Sequence, residues 1–141
     1  MADQSRDKKT SILIIEDEPA LRDIYSTRLR MDGFEVLEAV DGIEGLDSAI
    51  QHEPEMILLD IVLPIKDGFE VLKDLKSSPK TRAIPVVIMS NLGQDYEVKR
   101  GMALGAESFL TKANLTPVQI VEQVRKLLAT IKSKKDGNAG A

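Results

Sequence analysis

The sequence contains no cysteine, which excludes disulfides, thiolate metal sites and cysteine nucleophiles. It contains no apolar run long enough to cross a bilayer; the longest are strand-sized. Met1 to Thr10 is polar and charged, without the apolar stretch of a secretory leader, so a cytoplasmic location is the default expectation. There is no basic stripe either. Nineteen Lys and Arg stand against 23 Asp and Glu, for a formal net charge of -4, which argues against direct nucleic-acid binding. The single histidine, His52, falls at a predicted helix end before Glu53-Pro54 and is read as exposed and inert. No glycine-rich loop follows the first apolar run, so a nucleotide-binding module is disfavoured.

What is present fits one ordinary globular domain: 141 residues, 43% hydrophobic and 30% charged. The polar ends suggest flexible segments at Met1 to Lys9 and Ser133 to Ala141, flanking a domain over Thr10 to Lys132. Inside it, apolar runs alternate with helical patterns. Strands are predicted at Ser11 to Ile15, Phe34 to Ala39, Glu55 to Leu59, Pro85 to Met89 and Glu107 to Leu110. The helix after the first strand carries Leu21, Ile24, Tyr25 and Leu29 and closes at Gly33. The second starts at an Asp41 N-cap with Ile43, Leu46 and Ile50 on one face, and the third starts at Asp67-Gly68 with Val71, Leu72 and Leu75. A polar fourth helix spans about Gln94 to Leu104, anchored by Val98 and Met102. Thr116-Pro117 opens a fifth, striped with Ile120, Val121, Val124, Leu127, Leu128 and Ile131.

Five strands alternating with five helices predict an α/β fold with a doubly wound parallel sheet. Strands one, three and four are nearly all apolar, as central parallel strands are. Glu35 and Glu38 interrupt strand two, and strand five carries Glu107, Ser108 and Thr111, so these two suit the edges. The order 2-1-3-4-5 places them there, and it is an order already known for flavodoxin-like folds.

In such sheets, ligands sit beyond the carboxyl ends of the strands where the order reverses, here between strands one and three. Glu16, Asp17 and Glu18 follow strand one, and Asp60 follows strand three. Carboxylates gathered in one crevice repel unless a cation joins them. Hard oxygen donors in a shallow crevice select magnesium. Asp60, aimed by a buried strand, could attack phosphorus. Ser90 and Lys112, at the ends of strands four and five, could supply a hydroxyl and a cation. Taken singly, each has a plainer reading: Asp17 as a helix N-cap, Asp60 as a turn residue, Ser90 as a loop hydroxyl, Lys112 as a solvated surface lysine. Their joint placement on one sheet edge favours the chemical one.

The segments IIEDE (Ile14 to Glu18), LLDIVLPIKDG (Leu58 to Gly68), VIMSN (Val87 to Asn91) and GAESFLTK (Gly105 to Lys112) resemble the receiver domain of two-component response regulators, as in chemotaxis receivers. The resemblance implies a flavodoxin-like (βα)5 fold and magnesium-dependent phosphoryl acceptance on Asp60 from a sensor histidine kinase or a histidine phosphotransfer protein. It implies magnesium ligation by Asp17, by Glu16 through water, by Asp60 and by the backbone carbonyl of Val62. It also implies Ser90 as the switch hydroxyl, Phe109 as the aromatic switch and Lys112 as the conserved-position lysine. Ala113 replaces the proline usual after that lysine, so no cis bond is expected there. Asn91 stands where the family has a small residue. Apolar Val62 and Leu92 flank the site and predict a long-lived phosphoryl group. A stand-alone, non-enzymatic receiver is expected, monomeric or dimerising on phosphorylation, acting on an unidentified output protein. The rivals are a magnesium-dependent phosphatase, which favours an aspartate where Val62 stands, and a receiver that is never phosphorylated.

Overall fold

The computed structural model describes residues 9–91 and 93–140, the side chains of 136–140 excepted. Strands β1 (Ser11–Ile15), β3 (Met56–Leu59) and β4 (Val86–Ser90) are buried almost throughout. β2 (Glu35–Ala39) and β5 (Ser108–Thr111) are partly exposed and form the two edges. All pairings are parallel, in the order β2-β1-β3-β4-β5. The edge positions read from the polarity of the runs, and the flavodoxin-like strand order expected from the resemblance, are the ones observed.

Alternation along each strand divides the core into two layers. Leu13, Ile15, Ile57, Leu59, Val86 and Ile88 point to one face, beneath α2 (Gly42–His52) and α3 (Gly68–Ser77). Ile12, Ile14, Met56, Leu58, Val87 and Met89 point to the other, beneath α1 (Pro19–Met31) and α5 (Pro117–Gly140). The α5 stripe is real: Ile120, Val121, Val124 and Leu128 are buried, with Leu127 and Ile131 packed beside them. Burying each such side chain contributes about 1.5–3 kcal/mol. The caps also follow the sequence. Asp41 accepts from the Glu44 N–H at 2.8 Å and Asp67 from the Glu70 N–H at 3.0 Å. Thr116 and Gln119 cap one another's backbone at the start of α5.

Several expected helix faces differ. Ile43 and Ile50 of α2 are exposed, and its buried face is Gly42, Gly45 and Ala49. The helix lies so close to the sheet that a Cβ at Gly45 would sit 2.5 Å from Ile15 Cδ1. Small residues must therefore face inward, and the larger ones turn out. In α4 (Asp95–Ala103) Gly101 likewise faces inward, where a Cβ would sit 2.7 Å from Ile88 Cδ1; Glu97 is buried as well, and Met102 is exposed. Ile24 of α1 is also exposed. α5 runs from Pro117 to Gly140, and no proline interrupts it after its first residue. The expected N-terminal segment lies outside the described residues except for Lys9.

The loop from β3 to α3 is pinned by close backbone packing. The Asp60 N–H donates to the Ile15 carbonyl at 3.0 Å, and the Gly68 N–H to the Ile61 carbonyl at 2.8 Å. A Cβ at Gly68 would fall 2.3 Å from the Asp60 carbonyl oxygen and 2.6 Å from Ile61 Cα. Backbone cannot step aside as a flexible side chain can. Gly68→Ala is therefore expected to destabilise by about 1–3 kcal/mol despite its better helix propensity. Urea unfolding checks this; an unchanged midpoint contradicts the packing argument.

Candidate functional site

The ends of β1, β3, β4 and β5 bring Glu16, Asp17, Asp60, Ser90 and Lys112 to one edge of the sheet. Lys112 follows β5 at the start of a short 3-10 turn, Lys112–Asn114. Its ammonium donates to Asp60 Oδ2 at 3.0 Å and makes a short contact to Glu16 Oε1. All three side chains are at most 8% exposed, so the bridge sits in a medium that strengthens it. The Val62 N–H donates to Asp60 Oδ1 at 3.2 Å. Both Asp60 oxygens are thereby held, and Glu16 Oε2 accepts from the Glu18 N–H at 3.2 Å.

Carboxylate oxygens of Glu16, Asp17 and Asp60 all lie within 4.8 Å of one another. Asp17 is the exposed member, and its carboxylate has no hydrogen-bond partner among the described residues. It is not a helix cap either, because Glu18 occupies the N-cap of α1. Glu18 itself is exposed and outside the cluster. The donor set fits a hard divalent cation. Two anchored carboxylates and one open one leave room for the waters that magnesium retains.

Burial pushes the Glu16 carboxyl above its ordinary range; the Lys112 hydrogen bond partly offsets this, while the Asp60 charge adds to it. Burial pulls the Lys112 ammonium down, but its hydrogen bond to Glu16 and the charges on Asp60 and Glu16 outweigh that, and the net shift is upward.

Ser90 is fully buried at the end of β4, opposite Thr111 in the ladder. Phe109, opposite Ile88, is half-buried beside Gly101 of α4, where an added Cβ would lie 3.3 Å from its ring. Val62 is 60% exposed and Asn91 is exposed; Leu92 lies outside the described residues. His52 is exposed on α2, away from the cluster. No peptide bond among the described residues is cis.

Sequence reasoning missed Arg22. Its Nη1 donates to the Glu16 carbonyl at 2.9 Å and to the Asp17 carbonyl at 3.4 Å, and its Nε lies 3.3 Å from Glu38 Oε1. The only trace in the sequence was Glu38, a charge inside a strand, which signalled an edge and nothing more.

The sign of the pH dependence follows from the two shifts. The Lys112 contribution to stability is complete below 10.5 and is lost as pH rises through its elevated folded value. Glu16 holds its proton more tightly when folded, so acidification through the carboxylate range favours the fold at that position. Lys112→Met leaves buried carboxylates without their cation. It is expected to cost about 3–5 kcal/mol at neutral pH, with a smaller deficit on acidification. Urea unfolding of both proteins at pH 7 and pH 4.5 checks this; a deficit independent of pH contradicts it.

The sequence matches the response regulator receiver domain family over residues 12–125. RpaA of Synechocystis sp., described as a DNA-binding dual master transcriptional regulator, is 40% identical over 121 residues, covering 86% of this chain and 48% of RpaA. The chain spans about half the length of the curated relatives it matches. The receiver domain of a signal transduction histidine kinase from Syntrophus aciditrophicus superposes with a TM-score of 0.77 at 29% identity, covering 87% of this chain and 92% of that one. The response regulator Rcp1, solved in an Mn(2+)-bound form, superposes with a TM-score of 0.70 at 28% identity, covering 82% and 91%. Among the described residues no helix is long and apolar enough to cross a membrane. By sequence, by strand order and by the residues at its sheet edge, this chain belongs to the receiver domain family of two-component response regulators.

Proposed function

We propose that Asp60 is the phosphoacceptor of a two-component signalling switch. The observation that carries this is the placement of its carboxylate, held at one oxygen by Lys112 and at the other by the Val62 N–H, beside the two other acids. In the reaction, an Asp60 oxygen attacks the phosphorus of a phosphohistidine on a sensor kinase or phosphotransfer protein. An O–P bond forms, the N–P bond breaks, and the leaving imidazole takes up a proton. The product is an acyl phosphate. Lys112 offsets charge on the transferring oxygens, and Ser90 donates its hydroxyl to the phosphoryl group. Glu16, Asp17, Asp60 and the Val62 carbonyl would hold the magnesium, with Glu16 acting through water. When bound, the ion neutralises charge on the phosphoryl oxygens. The Mn(2+)-bound form of the relative Rcp1 supports a divalent site of this kind.

Phosphorylation adds charge and acceptor oxygens, which favours one of two arrangements of the β4–α4 and β5 segments. Ser90 moves toward the phosphoryl group and Phe109 turns inward. Gly101 and Gly93 leave only small groups against Phe109 and Thr111, which eases the rearrangement. The output is a protein contact on the α4–β5–α5 face, by a monomer or a phosphorylation-dependent homodimer in the cytoplasm. The receiver itself does not contact nucleic acid and catalyses only its own phosphorylation and dephosphorylation. A phosphatase is disfavoured because Val62 cannot transfer the protons that an aspartate there would.

Incubation with acetyl phosphate and Mg2+ is expected to give a single phosphoryl adduct by intact mass, lost in Asp60→Asn and on chelation. An adduct that persists in Asp60→Asn refutes the assignment. The exposed Val62 side chain cannot orient a hydrolytic water, so the phosphoryl group is long-lived. Val62→Asn is expected to shorten its lifetime several-fold; an equal or longer lifetime in the variant counts against this.

A further inference from the structure

We propose that Arg22 is a positioning residue that sets the divalent-ion affinity of the acidic turn, with Glu38 as its anchor. The inference rests on the reading above that this turn holds a metal. Asp17 supplies the open carboxylate, yet no other side chain holds that carboxylate among the described residues. Its place is set by the backbone of residues 16 and 17. That backbone is gripped from two sides. The Glu16 N–H donates to the Ala39 carbonyl of β2 at 3.1 Å. The carbonyls of Glu16 and Asp17 both accept from one guanidinium nitrogen of Arg22, at 2.9 and 3.4 Å.

Arg22 is in turn fixed. Its backbone N–H donates to the Glu18 carbonyl at 3.0 Å, closing the first turn of α1. Its Nε meets Glu38 Oε1 at 3.3 Å, and the side chain is only 17% exposed. Glu38 is shared: its Oε2 accepts from Arg30 Nη2 at 3.1 Å, and that same nitrogen donates to the Val36 carbonyl at 3.3 Å. A carboxylate on the edge strand thus holds two arginines of α1, and one of them holds the turn. The planar fork of arginine can meet a carboxylate on one side and carbonyls on the other. Lysine, a point charge, cannot span both. Partners that orient ligands without touching the ion commonly change metal affinity by about 10–100-fold.

Simple electrostatics predicts the opposite sign. A cation near a dication repels it, so removing the Arg22 charge alone would strengthen metal binding. Two substitutions therefore separate the roles. Arg22→Met removes both fork and charge; Arg22→Lys removes the fork and keeps the charge. Binding of Mn2+ to the full chain is followed by loss of the free-ion EPR signal, with the melting temperature recorded without metal. Both variants are expected to bind Mn2+ about tenfold more weakly while the metal-free melting temperature moves by a few degrees at most. The half-saturating Mg2+ for acetyl phosphate labelling should rise by the same factor, with the plateau rate unchanged. Tighter binding by Arg22→Met with unchanged Arg22→Lys overturns the proposal in favour of a charge effect, and equal binding by all three overturns it outright. If Arg22→Met fails to fold, Glu38→Gln tests the same anchor: a weakening smaller than tenfold supports the proposal and no change refutes it. A wild-type chain that leaves the Mn2+ signal intact sinks the metal reading itself, and this inference with it.

Discussion

The Lys112 ammonium sits between the Glu16 and Asp60 carboxylates, and the rest of the site depends on that contact. Two buried carboxylates at the ends of adjacent strands repel one another, and burial pushes the Glu16 carboxyl upward. A cation from the far strand β5 holds them together. Even so, the Glu16 carboxyl stays above its ordinary range, so the lysine compensates only in part. One positive charge against three carboxylates leaves the crevice anionic. That residual charge is what a divalent ion would answer.

The fold delivers these groups by topology more than by local sequence. β1 and β3 are neighbours, so the residues following them meet, although Glu16 and Asp60 are far apart in the chain. β5 reaches the site only through β4. Close packing then removes freedom. Gly68 allows the loop after Asp60 to fold back on itself, and Gly45 lets α2 settle against Ile15. By contrast, α4 presents polar residues outward and meets β5 through Gly101 and Phe109.

Much of this was legible in the residues. The grading of polarity across the five runs gave the edges, Asp41, Asp67 and Thr116 marked the helix starts, and the positions just past the strands of the sheet marked the residues that the fold brings together. What failed did so for identifiable reasons. Hydrophobic spacing placed Ile43 and Ile50 inward on α2, but a helix packed this tightly needs glycine and alanine there, and periodicity does not measure distance. Arg22 escaped because its partners are backbone carbonyls, which no sequence pattern displays.

The central claim is that these carboxylates share one divalent ion at the edge of the sheet. Anomalous diffraction from crystals soaked in Mn2+ tests it most directly. The account predicts one strong peak within coordination distance of both the Asp17 and Asp60 carboxylates. A peak elsewhere, or none at saturating Mn2+, would contradict it.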